Sequence, residues 1–418
     1  MAALPHPGSN NKNIILLVLV ASLGYFVDIY DLLIFSIVRI QSLTDIGVAQ
    51  REMRQMGEYI LNMQMAGLLI GGIIWGVMGD RYGRIKVLFG SILLYSLANI
   101  CNGFVHDVNS YAFIRFIAGI GLAGELGAGI TLVAETMPRE KRGYGTMMVA
   151  VVGLFGAVAA KQVSHYFAWR NAYFVGGGLG IVLLFLRLGI FESGMFEQAA
   201  KNSAVKKGSL SMLLGNKARL VKYIHCILIG LPLWFVVGIL LTQAPEIGRH
   251  LQAKGVLDAG SGIMFAYIGI SFGDLVAGFL SQLLKSRKKV ILIFCLFTLG
   301  SCTYYLNYKG ITPTQFNYLA FIIGLGVGYW ANFVTIAAEQ FGTNLRATVT
   351  TTVPNFVRGA LIPITLLFEF FVKRFTLVPA AYIMLFLLVA IALFSLSRLK
   401  ESFHKDLDYV EEDPQPAL

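Results

Sequence analysis

The chain has 418 residues, 56% of them hydrophobic and 14% charged, with a formal charge of +11 and a mean hydropathy of +0.69. Soluble domains carry about 25% charged residues, so a soluble fold is excluded and the bilayer must act as the solvent. The positive charge does not point to nucleic acid, because Lys and Arg sit in short stretches between apolar runs, where membrane topology accounts for them.

A helix needs about 20 mostly apolar residues to cross a hydrocarbon core of roughly 30 Å. The apolar runs and their Gly, Pro and charged breaks predict twelve helices at 13–38, 57–79, 85–105, 111–134, 143–167, 171–191, 221–243, 259–284, 289–307, 314–338, 347–372 and 377–397. The first run is too long for the core of a signal peptide and carries Asp28 and Asp31, so it is expected to remain as the first helix. Lys and Arg concentrate in alternate loops, which predicts both termini in the cytoplasm.

Cys101, Cys226, Cys295 and Cys302 lie in or beside apolar runs without CxxC spacing or a His partner. They read as small hydrophobes, and neither a disulfide framework nor a metal or cofactor site is suggested.

The polar stretch from Glu192 to Lys222 divides the helices six and six. The expected organisation is an all-α membrane protein with an N-terminal six-helix bundle at 1–192, a cytoplasmic linker at 193–220, a C-terminal six-helix bundle at 221–397 and a partly disordered cytoplasmic tail at 398–418. An internal repeat joins the bundles. Glu135 and Arg142 recur 204 residues later as Glu339 and Arg346, Gly119-x-Gly121 pairs with Gly324-x-Gly326, and Gly76 pairs with Gly278.

Between the second and third helices stands Gly76-Val-Met-Gly79-Asp80-Arg81-Tyr-Gly83-Arg84. It resembles the signature loop of the major facilitator superfamily, and the second copy, after Gly278, lacks the aspartate. The resemblance implies two pseudo-symmetric six-helix bundles and alternating access. It also implies gating charge clusters, here Gly76, Asp80, Arg81, Gly83 and Arg84 with Glu135, Arg142, Glu339 and Arg346. Arg115 followed by Gly119-Ile-Gly121, Glu135-Thr-Met-Pro138 and Glu339-Gln-Phe-Gly-Thr343 look like the sugar-porter and metabolite–proton symporter branch. Within it, Asp28-Ile-Tyr-Asp31 and Arg358, twelve residues after Arg346, resemble the organic-acid proton symporters. The family further implies a functional monomer in a bacterial cytoplasmic (inner) membrane.

Ionisable side chains inside a bilayer cost roughly 2.5–3.5 kcal/mol each on insertion scales, so each needs a partner, a wet cavity or a function. Asp28 and Asp31 share a helix face about 22–27 Å along the first helix. They can share a proton, or both can be satisfied by Lys or backbone donors. Glu125 is the other proton-coupling candidate, or a salt-bridge partner, and Arg115 either takes part in coupling or snorkels. Lys161 is expected to neutralise a helix 1 aspartate or to contact an anionic substrate.

Arg358 is expected to clamp a substrate carboxylate through two parallel hydrogen bonds, or to pair with an acid such as Asp274. Asn355, Trp330 and Tyr30 are the expected companions at the substrate site, and Arg187 reads as an interfacial residue. These residues predict a secondary transporter carrying a small organic anion with protons across the lipid bilayer. The alternatives are export of an organic metabolite, drug or siderophore-like chelate, and sugar or polyol–proton symport. An enzyme is not expected, since neither an HExxH nor a His-rich cluster is present.

Overall fold

The computed structural model describes residues 11–82, 84–125, 142–192, 210–403 and 411. Without water, a chain in lipid must satisfy its backbone polar groups internally, and the apolar runs do so as helices. Among the described residues, nine helices are long and apolar enough to cross a membrane. The bent pair Lys217–Leu228 and Leu231–Leu241 is a tenth candidate, and the shorter apolar helices Val87–Asn102 and Val108–Leu122 occupy two further predicted positions.

Spans are numbered in the predicted order. In the first half they are the first, Asn11–Asp45, the second, Met53–Tyr82, and the third, Arg84–Asn102. The fourth is Val108–Leu122, the fifth is Arg142–Leu154 with Gly156–Tyr166, and the sixth is Trp169–Glu192. In the second half the seventh is Lys217–Leu228, Leu231–Phe235 and the π-helical Val236–Leu241. The eighth is Ala259–Leu283, the ninth Arg287–Asn307, and the tenth Pro313–Val327 with Trp330–Glu339. The eleventh is Thr343–Gly359 with Leu361–Phe375, and the twelfth is Leu377–Arg398.

Between helices in lipid the hydrophobic effect gives no attraction, so close packing must hold them. A Cβ on Gly67 would lie 2.1 Å from the Phe116 carbonyl oxygen, and one on Gly119 2.2 Å from that of Gln64. The second half repeats the device, with Gly269 at 2.1 Å from the Phe321 oxygen and Gly324 at 2.1 Å from that of Ala266. The second span thus crosses the fourth, and the eighth the tenth, with backbone against backbone.

The described part of the tail is not loose. The Glu401 carboxylate accepts the Ser286 hydroxyl and the backbone N–H groups of Arg287 (3.0 Å) and Lys288 (3.3 Å), so it caps the ninth span. Gln340 donates to the Lys400 carbonyl at 2.7 Å, and Glu411 pairs with Arg219 at 3.1 Å and Lys222 at 3.2 Å. Among the described tail residues, Glu401 and Glu411 thus find donors at helix ends.

Candidate functional site

Arg358 sits on the eleventh span just before the break at Ala360 and is 1% exposed. Its Nη2 reaches Asp28 Oδ2 of the first span at 3.5 Å, joining the two halves at the centre of the bundle. Arg358 Nε and Nη1 and Asp28 Oδ1 have no hydrogen-bond partner. A buried ion pair offsets its desolvation only when its remaining donors and acceptors are also satisfied, so this one is chemically open. Beside it lies a small cavity, walled by Tyr25, Trp234, Tyr267 and Trp330 with Ile29 and Ile270. The guanidinium carbon stands 5.9 Å from the Trp234 ring centroid. A cation with free donors among aromatic rings can hold a planar carboxylate by its fork and an attached ring by stacking.

Asp31 turns the other way, into the first half. Neither of its carboxylate oxygens has a hydrogen-bond partner, and Oδ1 would lie 3.1 Å from a Cβ on Gly176 of the sixth span. Arg115 is fully buried rather than snorkelling, donating to the Asp31 carbonyl at 2.8 Å and to Asn99 Oδ1 at 3.1 Å. No hydrogen bond joins Asp28 to Asp31 among the described residues, because residues three apart on a helix diverge by about 60°. Tyr30 is also fully buried, and its hydroxyl donates to the Ala172 carbonyl at 2.7 Å, tying the first span to the sixth away from the cavity.

Glu125 and Arg187 form a second buried pair, fork to fork, between the end of the fourth span and the sixth. Arg187 is 3% exposed, so the interfacial reading is corrected: its partner, 62 residues away in sequence, holds it inside. Lys161 pairs with Asp258 at 2.6 Å, and not with a helix 1 aspartate. The climb of the fifth span carries Lys161 past the depth of Asp28 to the loop before the eighth span. There Asp258, the N-cap of that span, also accepts the Ser261 N–H. Burial raises the Asp258 carboxyl, but the hydrogen bonds from Lys161 and Ser261 outweigh it and hold the group below the usual range.

Asn355 Nδ2 donates to the Ala123 carbonyl at 3.0 Å and serves the contact between halves one turn from Arg358. Trp330 lines the cavity. Asp274 accepts the Ala331 N–H at 2.9 Å, and Arg358 takes Asp28 in its place.

Of the gating set, Glu339 pairs with Arg287 at 3.2 Å and accepts the Ser402 hydroxyl at 2.6 Å, and a Cβ on Gly76 would meet nothing within 4 Å. Gly83 and Glu135 lie outside the described residues, as do the side chains of Asp80, Arg81, Arg84, Arg142 and Arg346.

At the end of the bundle that holds the 46–52 loop, the halves are pinned by contacts the sequence does not reveal. Arg39 of the first span donates to Glu246 at 2.7 Å and to the Thr242 carbonyl at 2.9 Å. Glu58 accepts from Gln243, and Arg54 pairs with Glu369. Each partner is more than 180 residues away, and only the pairing of the halves brings them together. Asp258 carries one local signal, an aspartate just before an apolar run, but nothing nearby in the chain marks it as the partner of Lys161.

A family model described as Major Facilitator Superfamily matches residues 15–362. The 3-(3-hydroxy-phenyl)propionate transporter of Escherichia coli (strain K12) is 30% identical over 257 residues, 59% of this chain and 62% of that protein. The sialic acid transporter NanX of the same organism is 25% identical over 282 residues, 65% of this chain and 66% of that one. Among solved structures, the proton:xylose symporter XylE of E. coli bound to 6-bromo-6-deoxy-D-glucose is similar with a TM-score of 0.69. It is 16% identical, with 96% of this chain and 98% of that one covered, a likeness of fold.

Proposed function

The chain belongs to the major facilitator superfamily as a multi-pass membrane transporter of a small metabolite, and we propose that it imports a small carboxylate with a proton. The open ion pair between Asp28 and Arg358 carries this reading. A buried guanidinium cannot stay unpaired without a cost of several kcal/mol. When the cavity is empty, Asp28 supplies the charge. When a carboxylate enters, it competes with Asp28 for Arg358, and the displaced Asp28 is neutral only if it binds a proton. Loading therefore takes up substrate and proton together, and losing either restores the pair between halves. Asp31, beside Arg115 in the first half, is the second carboxylate of the relay.

The two relatives are named for carboxylic acids, and the aromatic walls suit a ring-bearing acid. Sugar transport is the weaker alternative, because a sugar offers no charge to Arg358. We take the Arg39–Glu246 end as the outer face and both termini as cytoplasmic, following the loop charges. The contacts between halves at that end then form an outer gate, closed in this conformation.

The test is ligand-induced thermal stabilisation of the purified protein with benzoate, phenylpropionate, aliphatic acids and sugars, in wild type and Arg358→Ala. Stabilisation by carboxylates that is absent in the variant is the expected result. A response to sugars alone, or one equal in both proteins, rejects the carboxylate reading.

A further inference from the structure

The eighth and tenth spans meet on bare backbone: a Cβ on Gly328 would lie 2.6 Å from the Gly273 Cα, and one on Gly273 2.5 Å from the Leu325 carbonyl oxygen. This contact brings Asp274, the next residue, to the point where Pro313–Val327 ends and Trp330–Glu339 begins. The first N–H groups of a helix need acceptors from outside it, and Tyr329, at the cap position of the second segment, supplies no side-chain bond. Asp274 does so instead. Its Oδ1 takes the Ala331 N–H, one residue after Trp330, at 2.9 Å.

Trp330 is the first residue of that segment. Its ring packs on Phe333 with centroids 5.2 Å apart and forms one wall of the cavity that Arg358 also lines. The equivalent place beside Gly71 in the second span is Gly72, which instead backs onto Asn355. The acid therefore has no counterpart in the first half.

We propose that Asp274 is a positioning residue for the substrate site. It holds the second segment of the tenth span so that Trp330 closes its wall of the cavity, and thereby sets the preference for ring-bearing over ring-free carboxylates. The preference rests on the carboxylate reading above, whereas the hold on Trp330 stands without any ligand.

The test uses the full chain labelled with 5-fluorotryptophan, whose four tryptophans give separate fluorine resonances, that of Trp330 being assigned by its loss in Trp330→Phe. Asp274→Leu, which removes the acceptor, is expected to displace the Trp330 resonance and leave the other three. Asp274→Asn, which keeps an acceptor oxygen, is expected to leave all four. In binding assays the leucine variant should lose roughly fivefold in its preference for benzoate over butyrate, the scale of one aromatic contact, and the asparagine variant should keep it.

An unmoved Trp330 resonance in Asp274→Leu, or an equal displacement in Asp274→Asn, overturns the proposal. If the leucine variant fails to fold, Asp274→Ala, which also removes the acceptor, decides: a displaced Trp330 resonance supports the hold, and an unmoved one refutes it. If the wild type binds no carboxylate, the carboxylate reading falls while the fluorine result still decides whether Asp274 positions Trp330.

Discussion

The two halves share one scaffold and fill it differently. Both cross their second and fourth helices on glycine, so tightly that a Cβ on Gly67 or on Gly269 would stand 2.1 Å from a backbone oxygen of the facing helix. In the first half that crossing supports buried charge, with Arg115 on the Asp31 carbonyl and Asn99, and Glu125 on Arg187. In the second half it supports most of the aromatic wall, Trp234, Tyr267 and Trp330, with Arg358 facing them and Tyr25 of the first span completing it. Close backbone contact is indifferent to side-chain chemistry, so one packing solution could be duplicated while the groups around it diverged. Under the proposed function the first half handles the proton and the second the ring. Asp28 and Arg358, one from each, are where the two tasks meet.

The largest effect that would break this comparison is on coupling. Asp28→Asn should abolish accumulation driven by a pH gradient while exchange of labelled for unlabelled substrate persists in proteoliposomes. Retained pH-driven accumulation would remove Asp28 from the proton path.

Next comes the charge of the first half. Glu125→Ala leaves Arg187 buried and unpaired and should cost about 3–5 kcal/mol, read as a lower Tm. Replacing both by apolar residues should recover most of it. A small effect of the single change would mean that this pair is not the fixed strut its burial suggests.

The glycine crossings sharpen the likeness of the halves. Gly67→Ala and Gly269→Ala should each cost about 1–3 kcal/mol by overpacking, with similar losses in Tm. A large difference between them would mean that only one crossing is under compression.

The smallest effect is at the tail. Burial raises the Glu401 carboxyl, but the Ser286 hydroxyl and the backbone N–H groups of Arg287, Phe403 and Lys288 hold it below the usual carboxylate range. A group depressed in the folded state adds stability above its unfolded value and loses it as the pH falls through the folded value. The tail contact should therefore persist at neutral pH and weaken only in acid. Glu401→Gln should remove that pH dependence at a cost within about 1 kcal/mol, as for exposed ion pairs, measured by hydrogen exchange at the start of the ninth span.

Much of the scaffold was readable in the chain, since spans longer than the bilayer is thick and a charge bias between loops act through local composition. Of the crossing glycines, Gly119 and Gly324 were also legible as a repeat, whereas Gly67 and Gly269 came only from the packing. The site was legible only as an inventory. Asp28, Asp31, Arg115, Glu125, Arg187 and Arg358 could be singled out because charge in lipid is costly, but their partners could not. Lys161 shows why: rise along a helix gives depth only coarsely, and Lys161 lies level with Ile37, past both aspartates of the first span, where Asp258 answers it.

Composition by itself thus determined that this chain is a bundle of membrane helices and which residues had to be answered for inside it, because desolvation acts on each residue separately. Tertiary structure alone decided that Asp28 answers Arg358, that Glu125 answers Arg187 and that Arg39 answers Glu246. Those choices depend on which helices touch and at what rotation, and no stretch of sequence holds that information locally.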